Sequence, residues 1–202
     1  MNYAWARDFT LQLMNQYSTA GAKVPESYNN QADYLVRIPK LLDDAQYYVA
    51  TTAGKMREMV ELDELTRTER GAWYLYELPV DCWKVCAGGL VSLDSDHLHR
   101  YGSYRMFGKT RMAVPKSLSG TMAVEYYRYP VRLGDDPKDT TPLDNSEEVQ
   151  RALPYYVAAH LLMHDNPFAY SALYNEFEAK LQRLYDGPEA DVGPVCDVYS
   201  EL

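Results

Sequence analysis

Cysteine is scarce. Cys82, Cys86 and Cys196 are an odd number without framework spacing, which excludes a disulfide-stapled secreted scaffold and fits reduced thiols. Cys82 and Cys86 have three residues between them and no second pair follows, so a zinc ribbon is excluded and two ordinary buried thiols are expected. No apolar run approaches the roughly 20 residues that cross a bilayer, so no membrane partner is expected. The opening residues, MNYAWARDFTLQLMNQ, carry acidic and polar side chains where a signal peptide needs an apolar core. Synthesis and retention in the cytoplasm are therefore expected. A basic surplus is missing as well: 20 Lys+Arg stand against 29 Asp+Glu, a formal charge of −9. Tight DNA binders carry the opposite balance, because neutralising phosphates supplies most of their affinity. GxxxxGK(S/T), GxGxxG and GxSxG are all absent, which removes the common phosphate cradles and the nucleophile elbow.

What is present is tyrosine: 19 of them, against four phenylalanines. A ring with a polar tip suits surfaces that are buried against a partner yet stay partly wet, so the excess points towards assembly. Charge is segregated along the chain. Residues 71–134 hold 8 Lys+Arg and 5 Asp+Glu, whereas residues 135–202 hold 4 and 14.

Hydrophobic spacing divides the chain into helix, sheet and helix. Phe9, Leu13 and Tyr17 recur every four residues and predict a first helix with that face inward. A second helix is expected from about Gln31 to Thr52, with Leu35, Ile38, Leu42, Ala45 and Val49 on one face, a kink or restart at Pro39, and Gly54 closing it. From Met56 the period becomes two. Strands are expected at Met59–Leu62, Trp73–Leu78, Tyr104–Phe107, Arg111–Val114 and Thr121–Tyr129, with turns at Gly88-Gly89, Gly102, Gly108-Lys109 and Ser119-Gly120. In the last strand Met122, Val124 and Tyr126 share the inner side. Helix then returns: Asn145 is placed as a cap with Glu148 three residues on, followed by Val149, Leu153, Tyr156, Val157, His160 and Leu161 around Pro154. Asn166-Pro167 starts a final helix with Leu173, Phe177, Leu181 and Leu184 inward. The expected fold is α+β: a helical bundle from residues 1–55 and 135–186, an inserted antiparallel β-sheet subdomain over 56–134, and an extended C-terminal tail over 187–202.

The stretch WYLYELPVDCWKV, Trp73 to Val85, concentrates four aromatic rings around one proline. Packing of the inserted sheet onto the bundle explains it most simply, with Trp83 expected at the junction and Trp83→Ala expected to lower the melting temperature.

Catalytic chemistry finds little support. His160 and His164 stand at i, i+4, a spacing zinc enzymes use, but Leu161-Leu162-Met163 follow the first histidine where a protease needs glutamate. They are read as the polar end of an amphipathic helix, and His97 and His99 as strand or loop residues. The carboxylate pairs Asp43-Asp44, Asp135-Asp136 and Glu147-Glu148 are read as solvated. No enzyme, metal or cofactor is expected. The basic cluster Arg100, Arg105, Lys109, Arg111 and Lys116, interleaved with Tyr101, Tyr104 and Phe107, is the strongest binding signal. It fits either a nucleic-acid groove, where cations and rings hold single strands, or contact with the acidic last third of a neighbouring copy.

The aromatic run into LPVDCW, the strand ending VEYYRYP and the closing PLDNSEEVQRALPYYVAAHLLMHDNP together resemble the head-to-tail adaptor (head–tail connector) proteins of tailed bacteriophages. The resemblance covers about residues 30–185. It implies a non-enzymatic homo-oligomer, a ring of about twelve copies in heterologous contact, at the portal vertex of a virion. It implies a portal protein and a tail or tail-completion protein as partners, and a channel through which DNA passes without specific binding. A C-terminal segment would engage the portal, here Val192, Pro194, Val195, Val198, Tyr199 and Leu202, expected to order on its partner as an added strand. The alternative is a nucleic-acid-binding module built on the basic, aromatic sheet insertion.

Overall fold

The computed structural model describes residues 1–14, 31–52, 56–93 and 99–185. Helices and two antiparallel sheets make this an α+β protein. The described residues divide into two compact units, 1–52 with 130–185, and 56–129.

In the helical unit, α1 (Tyr3–Leu13) begins where Asn2 accepts the Trp5 N–H at 3.0 Å. Two further early donors are satisfied by a distant segment: Tyr3 N–H reaches Thr141 O at 2.8 Å and Ala4 N–H reaches Asp139 O at 3.2 Å. The buried side chains are Tyr3, Ala6, Thr10 and Leu11. Phe9 and Leu13, expected inward, are only half-buried, and Tyr17 lies outside the described residues. Helix α1 carries apolar residues on two sides, and spacing alone does not rank them. Phe9 instead meets Trp5 and Tyr155 with ring centroids 5.5 and 5.7 Å away.

Helix α2 (Gln31–Thr52) has the expected span and runs unbroken through Pro39. Ile38, Leu42, Ala45 and Val49 are fully buried, as the period requires, joined by Tyr34 in preference to half-buried Leu35. Gly54 lies outside the described residues. Polar groups on this helix tether the returning chain: Asp43 accepts the Leu133 N–H at 2.7 Å, and buried Gln46 accepts the Asp144 N–H at 3.0 Å. Helix α3 (Glu147–Gln150) begins after Ser146, one residue later than expected, and the Ser146 side chain makes no capping bond. Asn145 is buried in the turn before it, where the Gln150 amide donates to Leu143 O and Asn145 O. A new helix, α4 (Leu153–Leu162), carries Pro154 in its first turn, where a missing N–H costs nothing. Leu153, Val157, Ala158, Ala159 and Leu161 are buried, so α4 is the central helix, touching α1, α2 and α5 (Pro167–Tyr185). Asn166 caps α5 by accepting the Ala169 N–H at 3.1 Å, and Phe177 and Leu181 are buried.

The second unit holds two four-stranded sheets where one was expected. Its strands are β1 (Met56–Glu61), β2 (Arg67–Arg70), β3 (Trp73–Glu77), β4 (Cys82–Ser92), β5 (His99–Tyr101), β6 (Arg105–Phe107), β7 (Arg111–Pro115) and β8 (Met122–Arg128). They are ordered β1-β8-β4-β5 and β2-β3-β7-β6. Tyr76, Met112 and Val114 from one sheet and Val85, Leu90, Val124 and Tyr126 from the other share a single core. Met122, Val124 and Tyr126 are indeed inward on β8, but Ala123 on its other face is buried too, because β8 is a central strand.

Strand β4, the longest, replaces the turn expected at Gly88-Gly89. Between Val85 and Leu90 its register against β8 shifts, so the glycines form a bulge inside the strand. Gly88 has a φ of +61°, and a Cβ on Gly89 would stand 2.5 Å from the Glu125 carbonyl oxygen.

Candidate interaction surface

The aromatic stretch crosses from one sheet to the other. Trp73, Tyr74 and Tyr76 lie on β3, and Trp83 on β4. Pro79 to Asp81 make the transfer, with the Cys82 N–H closing the turn onto Pro79 O at 3.0 Å and Val80 fully exposed. The buried ring of the four is Tyr76 (5% exposed). Trp83 is half-buried beside Tyr127, with ring centroids 6.2 Å apart.

Register sorts the side chains of the β2-β3-β7-β6 sheet into two faces. Trp73 pairs with Pro115, Leu75 with Ala113, Glu77 with Arg111, Arg105 with Ala113 and Phe107 with Arg111. Directly paired residues share a face, so Trp73, Arg105, Phe107 and Arg111 lie together on the outer one. Tyr74, Tyr76, Met112 and Val114 lie on the inner one. Phe107 is 54% exposed, and Met106, on the other face of the same short edge strand, is 39% exposed. Three cations and two large apolar side chains thus occupy seven consecutive residues, Arg105 to Arg111, around a turn at Gly108 to Thr110.

The basic cluster does not form one groove. Arg100 belongs to β5 in the other sheet, where it pairs with Glu125 at 2.8 Å. Arg105 stands 5.4 Å above the Trp73 ring. Arg111 faces Glu77 at 3.8 Å with both side chains exposed. Lys116 pairs with Glu69 at 2.6 Å, which holds that carboxyl below its ordinary range, and also lies 5.1 Å from the Tyr74 ring. Arg67 covers the same ring at 5.0 Å. Lys109, at the turn, has no ion-pair partner among the described residues. Cations already stand against Trp73 and Tyr74, so a nucleic-acid base would have to displace them to stack. Met106, Phe107 and Lys109 at the hairpin end are exposed.

The remaining candidates have structural places. The tail residues Val192, Pro194, Val195, Val198, Tyr199 and Leu202 lie outside the described residues, as do His97 and Cys196. His160 accepts no metal-like neighbourhood: its ring stacks on Tyr156 (4.0 Å), meets Tyr170 and Tyr174 edge-on, and places Nδ1 2.9 Å from the Tyr156 carbonyl oxygen. His164 is exposed one turn on. Among the described residues no three His, Cys, Asp or Glu side chains gather as a metal site. Cys82 and Cys86 are buried free thiols, Cys82 pushed up to about 11 chiefly by desolvation. Tyrosines also fill the helical unit itself, where Tyr48, Tyr156, Tyr170 and Tyr174 form a half-buried row against Phe177. Part of the tyrosine excess is therefore internal packing.

No helix among the described residues is long and apolar enough to cross a membrane. No protein-family model matches the chain. A search of curated proteins likewise finds no match.

Proposed function

We propose that this chain is a non-enzymatic structural adaptor of a phage virion, forming a ring that joins the capsid portal to the tail and surrounds the DNA channel. One observation supports it most: the β6–β7 hairpin presents Phe107 and Lys109 to solvent, exposed and, for Lys109, without an ion-pair partner among the described residues. A repeating head-to-tail contact needs two unlike surfaces on each copy. The acidic surplus of residues 135–202 offers a surface of opposite sign. In this reading helices gathered around α4 form the bundle that meets neighbouring copies. The segment Val192, Pro194, Val195, Val198, Tyr199 and Leu202 engages the portal. The net charge of −9 lets DNA pass by like-charge repulsion. Native mass measurement and negative-stain imaging, with and without a portal ring, test the proposal. Rings, or a stoichiometric complex on the portal, support it; a monomer that ignores the portal contradicts it.

A second reading, a nucleic-acid-binding module, draws on Arg105, Arg111, Trp73 and Phe107 sharing one exposed face. It requires DNA affinity that falls steeply with salt.

A further inference from the structure

The helical unit contains a cleft of about 490 Å³ between the N-terminal half of α2 and the chain that returns before α3. Leu35, Val36 and Pro39 supply an apolar side, and Asp135, Asp136 and Asp139 line the other. Val36 is 78% exposed and lies beside Leu35 and Pro39 on this side of the cleft. Asp139 is engaged by Arg7 at 2.6 Å. Arg7 also lines the cleft, tied to Asp139 and Asp8, so the exposed carboxylates there without a direct ion-pair partner among the described residues are Asp135 and Asp136.

We propose that this cleft receives the β6–β7 hairpin of a second copy of the chain. The two surfaces match in chemistry. The hairpin forms one edge of its four-stranded sheet, with β7 also paired to β3, and its exposed end carries Phe107 on the outer face, with Lys109 and Arg111 within four residues. Phe107 would fill the slot beside Val36, and Lys109 and Arg111 would meet Asp135 and Asp136. Gly108, with a φ of +67°, allows the tight turn at the end of the hairpin. The Leu78 N–H holds the Thr110 carbonyl at 2.8 Å and keeps the hairpin tied to its sheet. Hairpin and cleft are different surfaces, so the contact is heterologous and repeats from copy to copy. Lys and Arg against Asp at its rim steer the encounter and fix its orientation, while the buried apolar residues supply most of the affinity.

This inference rests on the self-association proposed above, and the experiment separates the two. One variant blocks the hairpin (Phe107→Ser with Lys109→Ser), and another blocks the cleft (Asp135→Lys with Asp136→Lys). Association of each is followed by sedimentation velocity, alone and with a portal ring, after thermal melting confirms folding. If a double variant melts early, Lys109→Ser and Asp136→Lys are used singly, because these exposed positions leave the core untouched. Each variant alone is expected to associate at least about tenfold more weakly than the unmodified chain. An equal mixture is expected to form dimers and stop there, because it retains one intact hairpin and one intact cleft per pair. Unmodified chain that stays monomeric with and without portal overturns the ring and this contact together. Unmodified chain that assembles, with both variants assembling equally well or a mixture giving no dimer, overturns the hairpin–cleft contact alone.

Discussion

Replacing Tyr76 with alanine removes a ring from the shared core of the two sheets, where it lies among Leu62, Met112, Val114 and Val124. The expected loss is about 3–5 kcal/mol. Trp83→Ala should cost clearly less, since that ring is half exposed and leans on Tyr127. Urea unfolding of the two variants checks the order, and a larger loss for Trp83 would contradict the packing described. The sequence could show that the aromatic stretch is structural. It could not show which ring is inside, because adjacent positions on a strand face opposite ways and four aromatics occupy both. Cys82 makes a second residue-scale prediction. Its thiol is raised from 9.0 to about 11 in the folded protein. Between those values the unfolded chain has lost the proton and the folded one has kept it. That group's contribution is therefore fully present below pH 9 and is lost as pH rises through 11. Denaturant titrations from neutral to alkaline pH should show stability falling over that window, with a smaller fall in Cys82→Ala.

At the scale of elements, the bulge in β4 is where sequence reading and structure part most clearly. Paired glycines usually mark a turn, and nothing local distinguishes a turn from a bulge whose partner, Glu125, is more than thirty residues away. Gly89→Ala should cost about 1–3 kcal/mol, because the new Cβ would press on backbone. Gly102→Ala, with nothing near its Cβ, should be close to neutral. Comparable losses in thermal melts of both would mean that the bulge is not held as described. Helices were read more accurately because their signals are local. Asn166-Pro167 starts α5 as the cap rule requires, and Asn166→Ala is expected to cost about 1 kcal/mol. The span of α2 followed from its apolar period. The short exposed strand β2, RTER, carries no apolar alternation and left no signal to read. Of the five basic residues proposed as a cluster, Arg105, Lys109 and Arg111 belong to one hairpin. Arg100 does not, because the chain changes sheets between positions that look continuous in sequence.

At the scale of the whole molecule, the charge segregation visible in sequence acquires physical carriers: a cationic, apolar hairpin in one unit and an acid-lined cleft in the other. Exposed apolar side chains beside unpaired charges are costly for a chain that stays alone and useful for one that repeats. The most direct measurement is native mass spectrometry of the purified chain titrated with a portal ring, supported by negative-stain images of the same samples. An adaptor should give a closed assembly with one fixed copy number, seen end-on as a ring with an open centre. A chain that remains monomeric at every concentration and leaves the portal mass unchanged would contradict the proposed role.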